Sequence, residues 1–354
     1  MSAVFSGRHV KSKRIEKVMT SESSGGTLHT KVLLIGGTGF LGRHVLNRLS
    51  TAGTDVTVVT RRPPAVPAGY EVAELDDRGP RRAQFASMIN RFTPDAVVNT
   101  AGEIWRNDAS LLQAANAQLP EQLALAMADT SSTARLVHLG SSLEYGSLPH
   151  PHATDESCPQ EPRSEYGRSK LRGTRRIFEI AQQASLDVVV LRIFNAIGSN
   201  MSPASLLGKT VRTLEQARRD KRLARLTLFD LRQHRDYADA RDLAEAILRA
   251  TVSRRPVGAP VLNLGTGQAS SAYDLVRGLA LASEVEFTID VLPAPEGGGR
   301  SLAADWQIAD PTLARRHLDW SAARTLPETL RWIWRTAGEG QAHPIAGCPA
   351  EGTR

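Results

Sequence analysis

The chain has 354 residues, of which 41% are hydrophobic and 23% charged, and a net charge of +7. It is too long for one minimal domain and suits a nucleotide-binding core with a second lobe; no run approaches the ~18 apolar residues of a membrane span. Two distant cysteines, Cys158 and Cys348, argue against a disulfide framework or a zinc site and for a reducing compartment, and with few aromatics and no nucleic-acid module neither a nucleic-acid nor a membrane partner is expected.

Residues 1–29 carry no periodic apolar pattern and read as a disordered leader; Arg8, Lys11, Lys13, Arg14 and Lys17 make it basic, and it lacks the apolar centre of a secretory signal. A cytoplasmic protein is therefore expected. The first element, Lys31–Ile35, is a continuous apolar run, as a strand buried on both faces would be. Gly36-Gly37-Thr38-Gly39-Phe40-Leu41-Gly42 follows directly, and Leu41, Val45 and Leu49 then recur at helical spacing. Strand, glycine turn and helix N-terminus in that order form a dinucleotide phosphate cradle. Glycine lets the backbone turn tightly and approach the pyrophosphate, and the helix end offers free N–H donors.

The second predicted strand, Asp55–Val59, ends at Thr60-Arg61-Arg62. A cofactor lacking a 2′-phosphate calls for a carboxylate at that position; two guanidiniums suit a 2′-phosphate. NADPH is expected over NADH, with Arg61 and Arg62 as ligands. The competing reading is that one arginine stacks on adenine and the other is merely surface. Asp76 is a candidate for the adenine edge or an exposed loop acid. Further strands are predicted at Ala96–Asn99, Leu136–Leu139, Asp187–Ile193 and Val261–Leu264, separated by helix-length segments. The alternation predicts an α/β fold, a Rossmann-type doubly wound parallel sheet with a smaller C-terminal substrate lobe. The core is placed at 30–194 with a strand returning near 236–266, the lobe at 195–235 and 267–337, and a disordered tail at 338–354. In the lobe the cluster Arg218, Arg219, Lys221, Arg222 and Arg225 reads as a solvated helix face, or as charge that suits an anionic cofactor and substrate.

After the strand predicted at Leu136–Leu139 comes Tyr166-Gly-Arg-Ser-Lys170. On a helix these two side chains share a face. A nearby cation favours phenolate, so Lys170 is expected to lower the Tyr166 pKa and make it a general acid or base; Lys170 can also hold ribose hydroxyls. Ser141 heads Ser141-Ser142-Leu143-Glu144-Tyr145-Gly146 just past its strand, where a hydroxyl can bond a substrate carbonyl oxygen and orient Tyr166.

The glycine spacing with Thr38-Gly39-Phe40-Leu41-Gly42, and Ser141, Tyr166 and Lys170 in that order, resemble the extended short-chain dehydrogenase/reductases, the NAD-dependent epimerase/dehydratase family, over most of residues 31–335. The resemblance implies Ser141, Tyr166 and Lys170 as the catalytic set, with Ser141 favoured over Ser142 by its offset from Tyr145. It implies cofactor contacts at Gly36, Thr38, Gly39, Phe40, Leu41, Gly42 and Ala101. Leu191-Arg192-Ile193-Phe194-Asn195, Arg235-Asp236-Tyr237 and Arg300 look like segments that hold a nucleotide-sugar diphosphate, implying substrate contacts at Asn195, Arg235 and Arg300, alongside Ser141 and Ser142. Asp239 departs from the family pattern, where many relatives carry histidine. The Asp-Glu pair of the 4,6-dehydratases is replaced by Ser142 and Leu143, which disfavours elimination. Arg61-Arg62-Pro63-Pro64, Ala101-Gly102-Glu103-Ile104-Trp105-Arg106 and the Ser141 segment look most like the 4-ketoreductases of antibiotic deoxysugar pathways; Trp105 is either a substrate-pocket wall or core packing. The implied reaction is NADPH-dependent reduction of an NDP-4-keto-6-deoxyhexose, TDP-linked first of all, the alternative being an NAD-dependent nucleotide-sugar epimerase. Homodimerisation through a helix pair is common among such proteins and is the oligomeric state the resemblance suggests.

Overall fold

The computed structural model describes residues 30–77, 79–104, 108–146, 151–229, 233–253, 260–293 and 306–339. The first half runs β1 (Lys31–Ile35), α1 (Phe40–Thr51), β2 (Asp55–Thr60), β3 (Glu71–Glu74), α2 (Arg81–Phe92), β4 (Ala96–Asn99), α3 (Ala109–Gln113), α4 (Leu119–Asp129) and β5 (Arg135–Ser141). It continues with α5 (Glu165–Ala184), β6 (Val188–Ile193), β7 (Ala196–Ile197), α6 (Leu206–Asp220), β8 (Ala224–Phe229), β9 (His234–Arg235), β10 (Ala238–Asp239) and α7 (Ala240–Val252). The chain closes with β11 (Val261–Leu264), β12 (Ser270–Ser271), α8 (Ala272–Ser283), β13 (Phe287–Leu292), β14 (Trp306–Gln307), α9 (Thr312–Leu318) and α10 (Leu326–Glu339).

Seven strands form one sheet in the order β11-β6-β5-β4-β1-β2-β3, every pair parallel. The strand order reverses between β1 and β4, so the crevice beyond their carboxyl ends is where a dinucleotide binds in such sheets. One face is covered by α1, α7 and α9 through Leu46, Leu49, Leu243, Ile247 and Leu318. The other is covered by α2, α4 and α5 through Phe85, Met88, Leu123, Met127, Ile177 and Ile180. Burial on both faces explains why β1 reads as a continuous apolar run.

A third core, separate from the sheet, gathers Leu207 and Leu214 of α6, Leu226 and Leu228 of β8, Leu275 and Leu279 of α8 and Ile333 of α10. The parallel pair β8–β13 lies in this lobe. Helix α9 sits on the sheet side, with Ala314, Leu318 and the following Trp320 in the core that α1 and α7 share. No helix among the described residues is long and apolar enough to cross a membrane.

Candidate active site

The turn after β1 is shaped by its glycines. Gly36 has φ +82°, and a Cβ there would come within 2.6 Å of the Ala101 nitrogen, so the loops following β1 and β4 touch backbone to backbone. A Cβ on Gly42 would lie 2.0 Å from the Gly36 carbonyl oxygen, so only glycine lets the first turn of α1 pack on the loop. The Gly39 N–H donates to that same oxygen at 2.9 Å. Gly39 caps α1 without any side-chain hydrogen bond, which leaves the first-turn N–H groups of Phe40, Leu41 and Gly42 without a side-chain acceptor. Arg43 Nε donates to the Thr38 carbonyl at 3.0 Å and adds positive charge. Donors, dipole and a hollow that side chains would fill suit a dinucleotide pyrophosphate.

At the end of β2, Thr60 is buried and its hydroxyl accepts the Arg62 N–H at 3.0 Å. Arg61 and Arg62 are exposed. Arg61 lies 3.8 Å from Asp77, an exposed pair that contributes about 0–1 kcal/mol and leaves the guanidinium ready to turn to a phosphate. Asp76 is exposed, with its backbone N–H bonded to Gln84 Oε1 at 2.8 Å and its carbonyl accepting from Gln84 Nε2 at 2.9 Å.

Ser141 ends β5 and caps a short 3₁₀ turn, Ser142–Glu144; its hydroxyl accepts the Leu143 N–H at 3.2 Å. Helix α5 starts from Ser164, whose hydroxyl accepts the Gly167 N–H at 3.0 Å. A Cβ on Gly167 would lie 2.1 Å from the Leu143 carbonyl oxygen, so this glycine lets the first turn of α5 dock on the 3₁₀ turn. That contact brings the Tyr166 phenol close enough to the Ser141 hydroxyl for the two to interact. Lys170, one turn on, is buried and its ammonium donates to the Leu139 carbonyl at 2.5 Å. The predicted catalytic set is assembled in one place.

Its electrostatics depart from expectation. The Tyr166 phenol is pushed up to about 12, mainly by burial, with the Glu144 carboxylate adding and the Ser141 hydrogen bond opposing. Lys170 does not lower it: the ammonium is engaged by a backbone carbonyl, and burial pushes Lys170 itself down to about 8 while Glu144 pulls it back. Tyr166 is therefore held as a proton donor. His138, fully buried on β5, meets Asn99 at 3.1 Å; burial and the Lys170 charge hold it well below the usual histidine range, hence neutral.

The residues predicted to contact substrate lie near the lobe junction. β9, carrying Arg235, lies between β12 and β14. Behind it the buried Asp236 carboxylate accepts N–H groups of Thr266 (2.8 Å), Gly267 (2.8 Å) and Ala309 (3.2 Å), fixing three chain segments. Arg235 is half-buried and donates to Gln233 Oε1 at 2.7 Å; burial pushes its guanidinium below the usual range, and no carboxylate pairs with it among the described residues. Such a cation lacks an anion. Asn195 Nδ2 donates to the Asp236 carbonyl at 2.9 Å, placing it beside Arg235. Ser142 is buried, and its carbonyl accepts from Gln307 Nε2 at 2.9 Å; Gln307 pairs in register with Arg235. Trp105 and Arg300 lie outside the described residues. Asp239, at the position that departs from the family pattern, caps α7, binds Arg241 at 2.7 Å and accepts from Thr329 at 2.8 Å. Among the described residues no group of three or more His, Cys, Asp or Glu could hold a metal.

One charged pair escaped the sequence reading. Glu144 and Arg192 are both fully buried and meet at 2.9 Å. Opening such a pair from one side costs about 3–5 kcal/mol. The pair shows in the sequence as an arginine inside the apolar run of β6 and a glutamate beside Tyr145.

Comparison with known proteins agrees with this geometry. A sequence profile of the NAD dependent epimerase/dehydratase family matches residues 32–265. A dTDP-6-deoxy-L-talose 4-dehydrogenase (NAD(P)(+)) of Kitasatospora kifunensis is 38% identical over 309 residues, covering 87% of this chain and 96% of that protein. A UDP-glucose 4-epimerase of Neisseria meningitidis serogroup C is 29% identical over 339 residues, covering 86% and 96%. Among solved structures, the Thermus thermophilus UDP-glucose 4-epimerase complexed with NAD superposes with a TM-score of 0.73 at 24% identity, covering 87% of this chain and all of that one (100%). The Pseudomonas aeruginosa RMD complexed with NADPH gives 0.73 at 21% identity, covering 88% and 98%. The chain is a nicotinamide-dinucleotide-dependent, nucleotide-sugar-modifying enzyme and belongs to the NAD-dependent epimerase/dehydratase family.

Proposed function

We propose that this enzyme reduces the C4 carbonyl of a nucleotide-linked 4-keto-6-deoxyhexose, dTDP-linked in the first instance, with NADPH, as a step of deoxysugar biosynthesis. The observation that carries the proposal is the placement of Tyr166: the first turn of α5 docks through Gly167 on the Ser142–Glu144 turn, which sets the phenol near Ser141 with Lys170 one helical turn away. The bound cofactor supplies hydride to the carbonyl carbon. Ser141 donates a hydrogen bond to the carbonyl oxygen as negative charge builds there. The Tyr166 O–H bond breaks as the new alcohol O–H bond forms, and the phenolate left behind takes a proton from solvent before the next turnover. Dehydrogenation at C4, the activity in the name of the Kitasatospora relative, is the same chemistry run backwards.

Two further features support the reading. Elimination needs a free carboxylate beside the catalytic hydroxyl, and the one acid in the Ser142–Glu144 turn is engaged with Arg192. Epimerisation with retained NAD suits a carboxylate at the end of β2, where Thr60, Arg61 and Arg62 stand instead.

The test is the loss of nicotinamide absorbance with NADPH and dTDP-4-keto-6-deoxyglucose, compared with NADH. Sugar-dependent oxidation that is much faster with NADPH is expected. Tightly held NAD, with no exogenous cofactor consumed, would point to an epimerase. In the R61A/R62A double variant the KM for NADPH should rise about 10- to 100-fold, from the loss of charge-assisted bonds of about 1.5–3 kcal/mol, with the NADH rate unchanged; equal effects on both cofactors would refute the phosphate-clamp role. Arg235→Ala should raise the KM for the sugar nucleotide by a similar factor with a smaller change in kcat. An unchanged KM would favour a carbonyl substrate without a diphosphate.

A further inference from the structure

Beneath the catalytic strand end lies a charged pair that the reaction just described does not use. Glu144 Oε1 accepts the backbone N–H of Ser141 at 2.8 Å, and Oε2 accepts from Arg192 Nε at 2.9 Å. Both residues are 0% exposed. The Arg192 guanidinium rests 4.3 Å above the Tyr145 ring, and its two terminal nitrogens have no hydrogen-bond partner. Tyr145 is itself tied to Asn263 Oδ1 at 2.8 Å. Gly140 makes room for the pair: a Cβ there would lie 2.8 Å from Glu144 Oε1 and 3.0 Å from Arg192 Cγ. In the parallel register Gly140 stands opposite Arg192, and Ser141 opposite Ile193.

Burying two charges and leaving guanidinium donors unsatisfied is costly, and apolar residues would fill the space at least as well. The arrangement buys something other than stability. From the physics of the contacts, that is the setting of Ser141: one carboxylate oxygen grips its N–H and the 3₁₀ turn does the rest. We infer that Glu144 is the positioning residue of this catalytic centre: locked by Arg192, its carboxylate grips the Ser141 N–H and fixes the strand end beside the Tyr166–Lys170 pair. The groups facing that pair are Glu144 from the 3₁₀ turn, His138 from β5 and Arg192 from β6 behind Glu144; on the outer side of α5, Glu121 of α4 is engaged with Arg176. Of these, Glu144 acts on both Tyr166 and Lys170, opposing phenolate and favouring ammonium.

The effect on turnover rests on the reductase reading; the ionisation of the phenol does not, and so the two fail separately. Because E144Q alone strands the Arg192 charge, the variant to use is E144Q/R192M, with R192K as the conservative control. Phenolate absorbance is titrated in each protein with Y166F as the reference, so that the difference reports Tyr166. The midpoint should fall by about one pH unit in E144Q/R192M and stay in place in R192K. Carbonyl reduction in E144Q/R192M should lose its rate at correspondingly lower pH, with kcat reduced about tenfold or more and cofactor affinity retained. In the S141A background the same pair of substitutions should add little, since coupled residues are not additive. An unmoved Tyr166 midpoint, or a full additional loss of kcat on top of S141A, would overturn the inference.

Discussion

Replacing Tyr166 with phenylalanine is expected to lower kcat by about 10²–10⁴-fold, the usual range for a positioned general acid, while cofactor affinity stays within a few-fold of wild type. The substitution removes one oxygen. The aromatic ring still fills its place on the first turn of α5, and Gly167 still seats that turn against Leu143. The phosphate cradle after β1 is untouched. What is lost is the proton: burial holds the phenol up to about 12, so it carries its proton near neutral pH. Cofactor fluorescence titration and steady-state kinetics on the same preparation separate the two effects. Turnover near the wild-type rate would remove Tyr166 from the chemistry, and a parallel loss of binding would make its role structural.

Gly42→Ala should have the second largest effect, and on binding rather than chemistry. The added methyl would lie 2.0 Å from the Gly36 carbonyl oxygen and within 2.9 Å of the Thr100 hydroxyl, both part of the packed junction of β1, α1 and β4. Backbone cannot step aside as a flexible side chain can. Overpacking of this kind costs about 1–3 kcal/mol, and the relief available is for α1 to lift from the loop. Lifting it carries the Phe40, Leu41 and Gly42 N–H groups away from the pyrophosphate. Cofactor affinity should therefore fall by roughly 10- to 100-fold, with a lowered Tm and with kcat at saturating cofactor largely kept. A variant with normal cofactor affinity would mean that the hollow beside Gly42 is not where the dinucleotide sits.

Much of the frame was legible because burial on both faces writes itself into composition. β1 reads as a continuous apolar run and β4, β5, β6 and β11 as segments rich in β-formers, and the glycine turn, Ser141, Tyr166 and Lys170 could be located from their order and spacing. β3 could not. It is the edge strand, with the sequence Glu-Val-Ala-Glu and one buried residue, so it leaves no apolar signature. The bridges β7, β9, β10, β12 and β14 have two residues each, and their existence depends on partners distant in sequence. Yet β9, pinned through Asp236, is what presents Arg235.

The electrostatic inversion at Tyr166 was hidden for a related reason. The i, i+4 spacing correctly put phenol and ammonium on one helical face, but where the ammonium points is decided by the Leu139 carbonyl on another element. The carboxylate that acts on both groups comes from Glu144, whose partner Arg192 lies on the neighbouring strand. Pairwise spacing along one helix carries no information about either.

The most direct test of the proposed chemistry is a single-turnover reaction with NADPH deuterated at the transferable C4 position and dTDP-4-keto-6-deoxyglucose, the product being read by NMR and mass spectrometry. The expected result is a dTDP-6-deoxyhexose bearing one deuterium at C4 and one equivalent of NADP formed. Recovery of a sugar with altered stereochemistry, no deuterium and no cofactor consumed would contradict it.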